Sequence, residues 1–187
     1  MGEPWVIILI IIAILAIILI SWWISTSNRF KVMGVKIDEA LSGIDVALTK
    51  RYDLLTKAVA TVKGYAKHES ETLTKIIAMR NPGSAATLME KQEFATQTAQ
   101  AIKSFNVVME QYPTLKADVQ FVSLQNSIKD VEEQLQAARR LYNSNVSTYN
   151  QAIIVFPGSI IANKSGFTKR DFFEAEETKR EDIKIEF

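Results

Sequence analysis

The side chains most able to do chemistry lie in one run, Lys67-His68-Glu69-Ser70-Glu71, which holds the chain's single histidine. A zinc protease needs His-Glu-x-x-His, so that two imidazoles share one helical face; here position 72 is Thr, and the pattern fails. A di-iron bundle needs Glu-x-x-His twice, which one histidine cannot supply. Serine nucleophiles lack a base other than His68, and the glycines are too scattered for a phosphate loop. With no cysteine, disulfides, thiolate catalysis and cysteine-held metal are excluded. No catalytic residue, cofactor site or metal site is therefore assigned, and the chain is expected not to be an enzyme.

A second pattern is polar rather than reactive. Tyr142-Asn143 and Tyr149-Asn150 repeat at a spacing of seven, which returns both pairs to the same face of a helix. A buried tyrosine hydroxyl needs a partner. Arg51, itself at an apolar-stripe position, is a candidate. Arg51, Tyr142, Asn143, Tyr149 and Asn150 are expected to form a buried polar layer that fixes helix register, or to line a recognition groove. Arg139-Arg140 and Lys169-Arg170 read as solvated pairs among acids. Asn145-Val-Ser147 and Asn163-Lys-Ser165 match glycosylation sequons, without meaning if the domain faces a bacterial cytoplasm.

The elements that must carry these residues are helices. Only 7 Gly and 4 Pro occur in 187 residues, which suits long helices better than short strands and tight turns. Charge is nearly balanced, 22 basic against 21 acidic residues, which argues against a nucleic-acid partner. Residues 5–24, WVIILIIIAILAIILISWWI, contain no charge. At ~1.5 Å per residue they span ~30 Å, the thickness of a bilayer's hydrocarbon core. Trp5 at one end and Trp22-Trp23 at the other mark the two interfaces. A cleaved signal peptide fits poorly: the run is too long, no basic residue precedes it, and no A-x-A-like site follows. Residues 1–27 thus form a single-pass anchor ahead of a helical domain at 28–187. Arg29, Lys31 and Lys36 follow the span, so the N-terminus is expected outside and the domain in the cytoplasm.

Beyond the anchor, Ile37, Leu41, Ile44, Leu48, Leu55, Ala58, Val62, Tyr65, Ile76 and Met79 follow one heptad stripe, interrupted by Arg51, Glu69 and Thr72. Asn81-Pro82-Gly83-Ser84 stops it. Further stripes run from Leu88 to Met109 and from Phe121 to Phe156. An unbroken first helix, 28–80, would be ~80 Å long; the second, 84–111, ~42 Å; the third, 114–156, ~65 Å. On that geometry the second helix returns along the distal half of the first and the third runs outward again. The proximal stripe Ile37, Leu41, Ile44, Leu48 would then lack a cover, and self-association through it is expected unless the tail folds back or Gly34 and Gly43 break the helix. Phe167, Phe172, Phe173 and Phe187 argue that the tail docks, with a short helix near 171–178. The fold class is all-α, an anchor followed by a long antiparallel helical bundle.

At this point the residues resemble the LemA family. The resemblance covers roughly 30–187 and rests on RYDLLTKAVATVKGYAKHE (51–69), EQYPTLKADVQF (110–121), ARRLYNSNVSTYNQAIIVFPGSIIA (138–162), GF (166–167) and FFEAEE (172–177). The chain departs from the family at Thr56-Lys57, where Pro-Asn is usual, and at its end, DIKIEF, which lacks the usual proline. The resemblance implies a bacterial membrane-anchored helical protein with no established catalysis. The functional expectation is a membrane-tethered scaffold whose partners are the bilayer, itself or other membrane proteins. The alternative is a sensor or accessory subunit that binds a small ligand or a membrane enzyme.

Overall fold

A computed structural model describes residues 4–65, 71–116 and 118–174. Among these residues all regular structure is helical: α1 (Pro4–Tyr65), α2 (Glu71–Ala78), α3 (Leu88–Met109), α4 (Pro113–Lys116), α5 (Val119–Ile154) and α6 (Gly158–Ser165). The chain divides into two compact units, one built from residues 1–39 and 143–172, the other from 40–142 and 173–187.

The second unit corrects the expected helix order. The first helix is not continuous from 28 to 80. It ends at Tyr65, and α2 returns along it: Tyr52 Oη donates to the Met79 carbonyl at 2.6 Å, and Asn81 Nδ2 to Thr49 Oγ1 at 2.9 Å. Residues 67–70 lie outside the described residues. The extra reversal flips every later direction. The α3 helix runs parallel to α1, with Lys91 at Asp45 and the Ala95 carbonyl at Arg51. The α5 helix then runs antiparallel to it, with Glu132 at Arg51. The far end is sealed by an apolar cluster that includes Leu55, Val62, Leu73, Ile76, Phe105, Met109, Leu115 and Phe121, with Phe105 and Phe121 rings 6.2 Å apart.

Helix ends follow local chemistry. Thr87 and Glu90 form a capping box at the start of α3. Asp118 Oδ1 accepts the Gln120 and Phe121 amides at 2.9 and 3.0 Å, so the third long helix begins at Val119 and Pro113 opens only the short α4.

In the first unit α1 passes through Gly34 without a break, and the last turns of α5 lie against it: Asn145 Nδ2 donates to the Lys36 carbonyl at 3.0 Å. The chain then turns at a cis Phe156–Pro157 bond into α6, which Gly166 closes in the left-handed conformation at φ 73°. Gly158 sits where a Cβ would lie 2.7 Å from the Ala152 carbonyl oxygen and 3.2 Å from Phe30, so only glycine fits without a shift.

Two further expectations are corrected. The stripe described as uncovered is buried within the chain: Ile37, Ile44 and Leu48 are 1%, 0% and 2% exposed, and Leu41 is half-buried. The argument for self-association through this stripe loses its premise, because α5 returns toward the apolar N-terminal part of α1 instead of running away from it. The short C-terminal helix lies at 158–165; residues 171–174 are not helical, and 175–178 are outside the described residues.

Candidate functional site: buried ion pairs and the groove beside them

Among the described residues of the second unit three cations are buried, Arg51, Lys91 and Arg139, and the first two occupy stripe positions. Arg51 is drawn out of water by its place on the inner face of α1. Its guanidinium lies 2.7 Å from Glu132 Oε2, and Nη1 donates to the Ala95 carbonyl at 3.2 Å and to Thr98 Oγ1 at 3.4 Å. The Thr98 hydroxyl in turn donates back to the Phe94 and Ala95 carbonyls. This one side chain therefore ties α1 to both α3 and α5. Lys91 ties α3 to α1 alone, one level nearer the N-terminus of α1. Its Nζ donates to both Asp45 oxygens at 2.6 Å and to the Ser84 carbonyl at 2.9 Å, which fixes the turn before α3 against α1. Burying a charge is tolerable only where its donors are met; Lys91 meets that condition with groups of the chain itself, and Arg51 does so through its two terminal nitrogens.

Arg51 also borders an open groove of about 640 Å³ between α3 and α5. Its floor is Ile102, Phe105, Met109 and Ile128, and its rim carries Lys103, Glu110, Lys129 and Glu132. Among the described residues no three His, Asp or Glu side chains are grouped as a metal ion would need.

The expected five-residue layer is not one site. Arg51 meets α5 at Glu132, and Tyr142 lies ten residues further on, ~15 Å along the helix axis. Tyr142 instead packs edge-on to Phe173 at 6.5 Å, and Arg139 stacks over the same ring at 4.9 Å. Phe173 is thereby buried, which docks the tail on α5. Asn143, Tyr149 and Asn150 belong to the first unit. There Asn150 holds Arg170, its Nδ2 donating to the Arg170 carbonyl at 2.8 Å and its Oδ1 accepting the Arg170 amide at 2.9 Å. Tyr149 is buried beside them, and burial raises its phenol above the ordinary value, partly offset by the Arg170 charge. Asn143 is half-buried on the same face. His68 lies outside the described residues.

Glu132, Asp45, Lys91 and Phe173 were not singled out as functional from sequence. A signal for the two acids existed. Each follows a stripe residue directly, Asp45 after Ile44 and Glu132 after Val131, which sets a carboxylate on the flank of an inner face.

These features define an all-α protein whose apolar N-terminal helix continues into helices pinned by buried ion pairs. Residues 40–187 match the LemA family, and the chain belongs to that family. It is 29% identical over 150 residues to Protein LemA of Metamycoplasma hominis, an alignment covering 79% of this chain and 68% of that protein. It is also similar to magnetosome protein MamQ of Magnetospirillum gryphiswaldense, 29% identical over 73 residues, and to magnetosome protein MamQ 2 of Paramagnetospirillum magneticum, 30% over 74. Those matches cover 39% and 40% of this chain, and the chain spans 27% of each MamQ protein.

Proposed function

We propose that this protein is a membrane-tethered helical interaction protein, anchored by residues 5–24 with its helical part on the cytoplasmic side, and that it works by presenting surfaces rather than by catalysis. The observation that carries this reading is the first half of α1. It is apolar on every side, with a mean hydropathy of 3.2 over its best 18 residues, and none of that window is covered by the rest of the chain. A helix apolar all round needs lipid or protein around it. The helix continues without a break from this span to Phe30 and Ile37, both buried, which favours a retained anchor over a removed leader. Arg29, Lys31 and Lys36 after the span favour a cytoplasmic domain. The buried cations are held by the chain's own acceptors, and several apolar side chains, among them Met89, Val107 and Val119, point outward. The groove beside Arg51 supports the second reading, a tethered sensor that binds a small amphipathic ligand.

Topology is tested with Ser123→Cys, the sole thiol in that variant. It is expected to resist an impermeant maleimide in intact cells and to react after lysis. Ready reaction in intact cells overturns the orientation. Function is tested with a photo-crosslinking residue at Val107 or Val119 in living cells. Discrete protein adducts that vanish when residues 1–27 are removed are expected. No adduct at either position, together with thermal stabilisation by a small-molecule extract, turns the reading to the sensor.

A further inference from the structure

The first unit carries an apolar patch that the anchor alone does not explain. At the turn from α5 into α6, Ile154, Val155 and Phe156 are exposed in succession, Phe156 at 76%, and Ile160 is exposed in the first turn of α6. Water-facing helix ends rarely show four such side chains together, and a contiguous patch of this kind marks a surface that meets something apolar.

Its place in the unit says what. Val155, Phe156, Pro157 and Gly158 border a notch of about 380 Å³ whose other wall is Trp22, Thr26, Arg29 and Phe30 of α1. The corner therefore sits beside the last turn of the apolar span and the turns that follow it. Trp22 and Trp23 take the headgroup boundary. Thr26, on the same notch, is four residues beyond Trp22, ~6 Å along the helix and within a headgroup layer of roughly 5–8 Å on each side of the hydrocarbon core. The long Arg29 side chain can reach back into that layer from ~10 Å. The exposed corner is held at that same depth.

Charge agrees with this placement. From residue 5 to 30 the one charged residue is Arg29, and from 143 to 166 it is Lys164. No carboxylate occurs in either segment. An apolar edge framed by isolated cations suits an interface of acyl chains and anionic headgroups.

We propose that the α5–α6 corner is a second membrane contact: Val155, Phe156 and Ile160 enter the headgroup–acyl boundary beside the Trp22-Trp23 collar, with Arg29 and Lys164 facing lipid phosphates. The occupant is the lipid surface into which α1 inserts, so the proposal rests on the anchor reading. It makes the first unit a two-point attachment in which the chain leaves the bilayer at α1 and returns to it at Phe156.

The test uses the full chain in lipid nanodiscs containing phosphatidylglycerol, with single cysteines spin-labelled at Phe156, Ile160, Ile14 and Ser144. No native thiol competes. Collision rates with oxygen, which partitions into lipid, are compared with those for a water-soluble nickel chelate. Labels at Phe156 and Ile160 are expected to favour oxygen at shallow depth, Ile14 to favour it deeply, and Ser144 on the exposed face of α5 to favour nickel. Nickel accessibility at Phe156 equal to that at Ser144, with Ile14 in lipid, overturns the proposal and leaves the anchor standing. Shielding of Phe156 from both reagents overturns it in favour of a protein contact. Nickel access at Ile14 overturns the anchor, and the proposal with it.

Discussion

The Asn150 side chain grips the Arg170 backbone from both sides, donating to its carbonyl at 2.8 Å and accepting its amide at 2.9 Å. It is a side-chain imitation of a strand ladder, and it places the chain that follows α6 against the end of α5. Removing it leaves the Arg170 amide to water. Asn150→Ala is expected to cost about 1–2 kcal/mol of local stability and to speed hydrogen exchange at the Arg170 amide by roughly tenfold. Exchange followed by NMR or mass spectrometry checks it; an unchanged Arg170 rate sinks the assignment.

The Arg51–Glu132 pair yields an asymmetric prediction. Arg51 is almost fully buried, whereas Glu132 keeps a third of its side chain in solvent. Glu132→Ala strands a buried guanidinium and is expected to cost about 2–4 kcal/mol, somewhat below the range for a pair buried on both sides. Arg51→Met with Glu132→Gln removes the charges together and is expected to return to within about 1 kcal/mol of the original. Thermal unfolding of the solubilised full chain, followed by circular dichroism, measures both. Equal losses in the two variants would show that the pair contributes by shape rather than charge.

Lys91 is a point donor among several oxygens, and a planar guanidinium does not reproduce that geometry. Lys91→Arg is therefore expected to destabilise about as much as Lys91→Met, roughly 2 kcal/mol, because the larger head must displace the Ser84 turn or leave Asp45. Full tolerance of arginine in the same melt would refute it.

Gly158 admits no Cβ without moving the Ala152 carbonyl or the Phe30 ring. Gly158→Ala is expected to cost about 1–3 kcal/mol, whereas Gly43→Ala, with nothing within 4 Å, is expected to be neutral or slightly stabilising through helix propensity. Comparing the two melting temperatures separates a packing demand from a general intolerance of α1 and α6 to substitution.

The raised phenol of Tyr149 sets an alkaline limit. A group whose neutral form is favoured by folding contributes stability that is present below its unfolded value of 10.0 and is lost as pH rises through the higher folded value. Stability is expected to fall above pH 10, and Tyr149→Phe to flatten that fall. A Phe variant with the same alkaline profile as the parent would move the cause elsewhere.

The apolar stripes and the charge-free span made the helices and their inner faces legible, because periodicity reports burial directly. Directions were less legible. They hinged on one reversal after Tyr65, and the stripe's interruptions at Glu69 and Thr72 gave no sign that α2 runs back along α1. Once α2 returns along α1 as far as Tyr52, α3 and α5 each point the opposite way from the expectation, and the stripe from Ile37 to Leu48 acquires its cover. The polar groups illustrate a second limit. Sequence spacing put Tyr142 and Tyr149 on one helix face, but it carried no information on which residue of another helix stood opposite. Arg51 could be recognised as buried without Glu132 being recognised as its partner. The Phe156–Gly158 corner was visible only as a stop signal; that its glycine accommodates a ring from α1 needed three dimensions.

The division of the chain has a mechanical consequence. Residues 40–142 form a loop of chain inserted into a unit whose two halves, 1–39 and 143–172, are joined by contacts such as Phe30 on Phe167 and Asn145 on Lys36. A protease that nicks the excursion once, near Gly83 for instance, produces two fragments, each ending in one half of the same clasp. Neither is free to leave. Releasing the helices of the excursion takes two cuts, so a single strike severs the covalent path while the clasp stays shut.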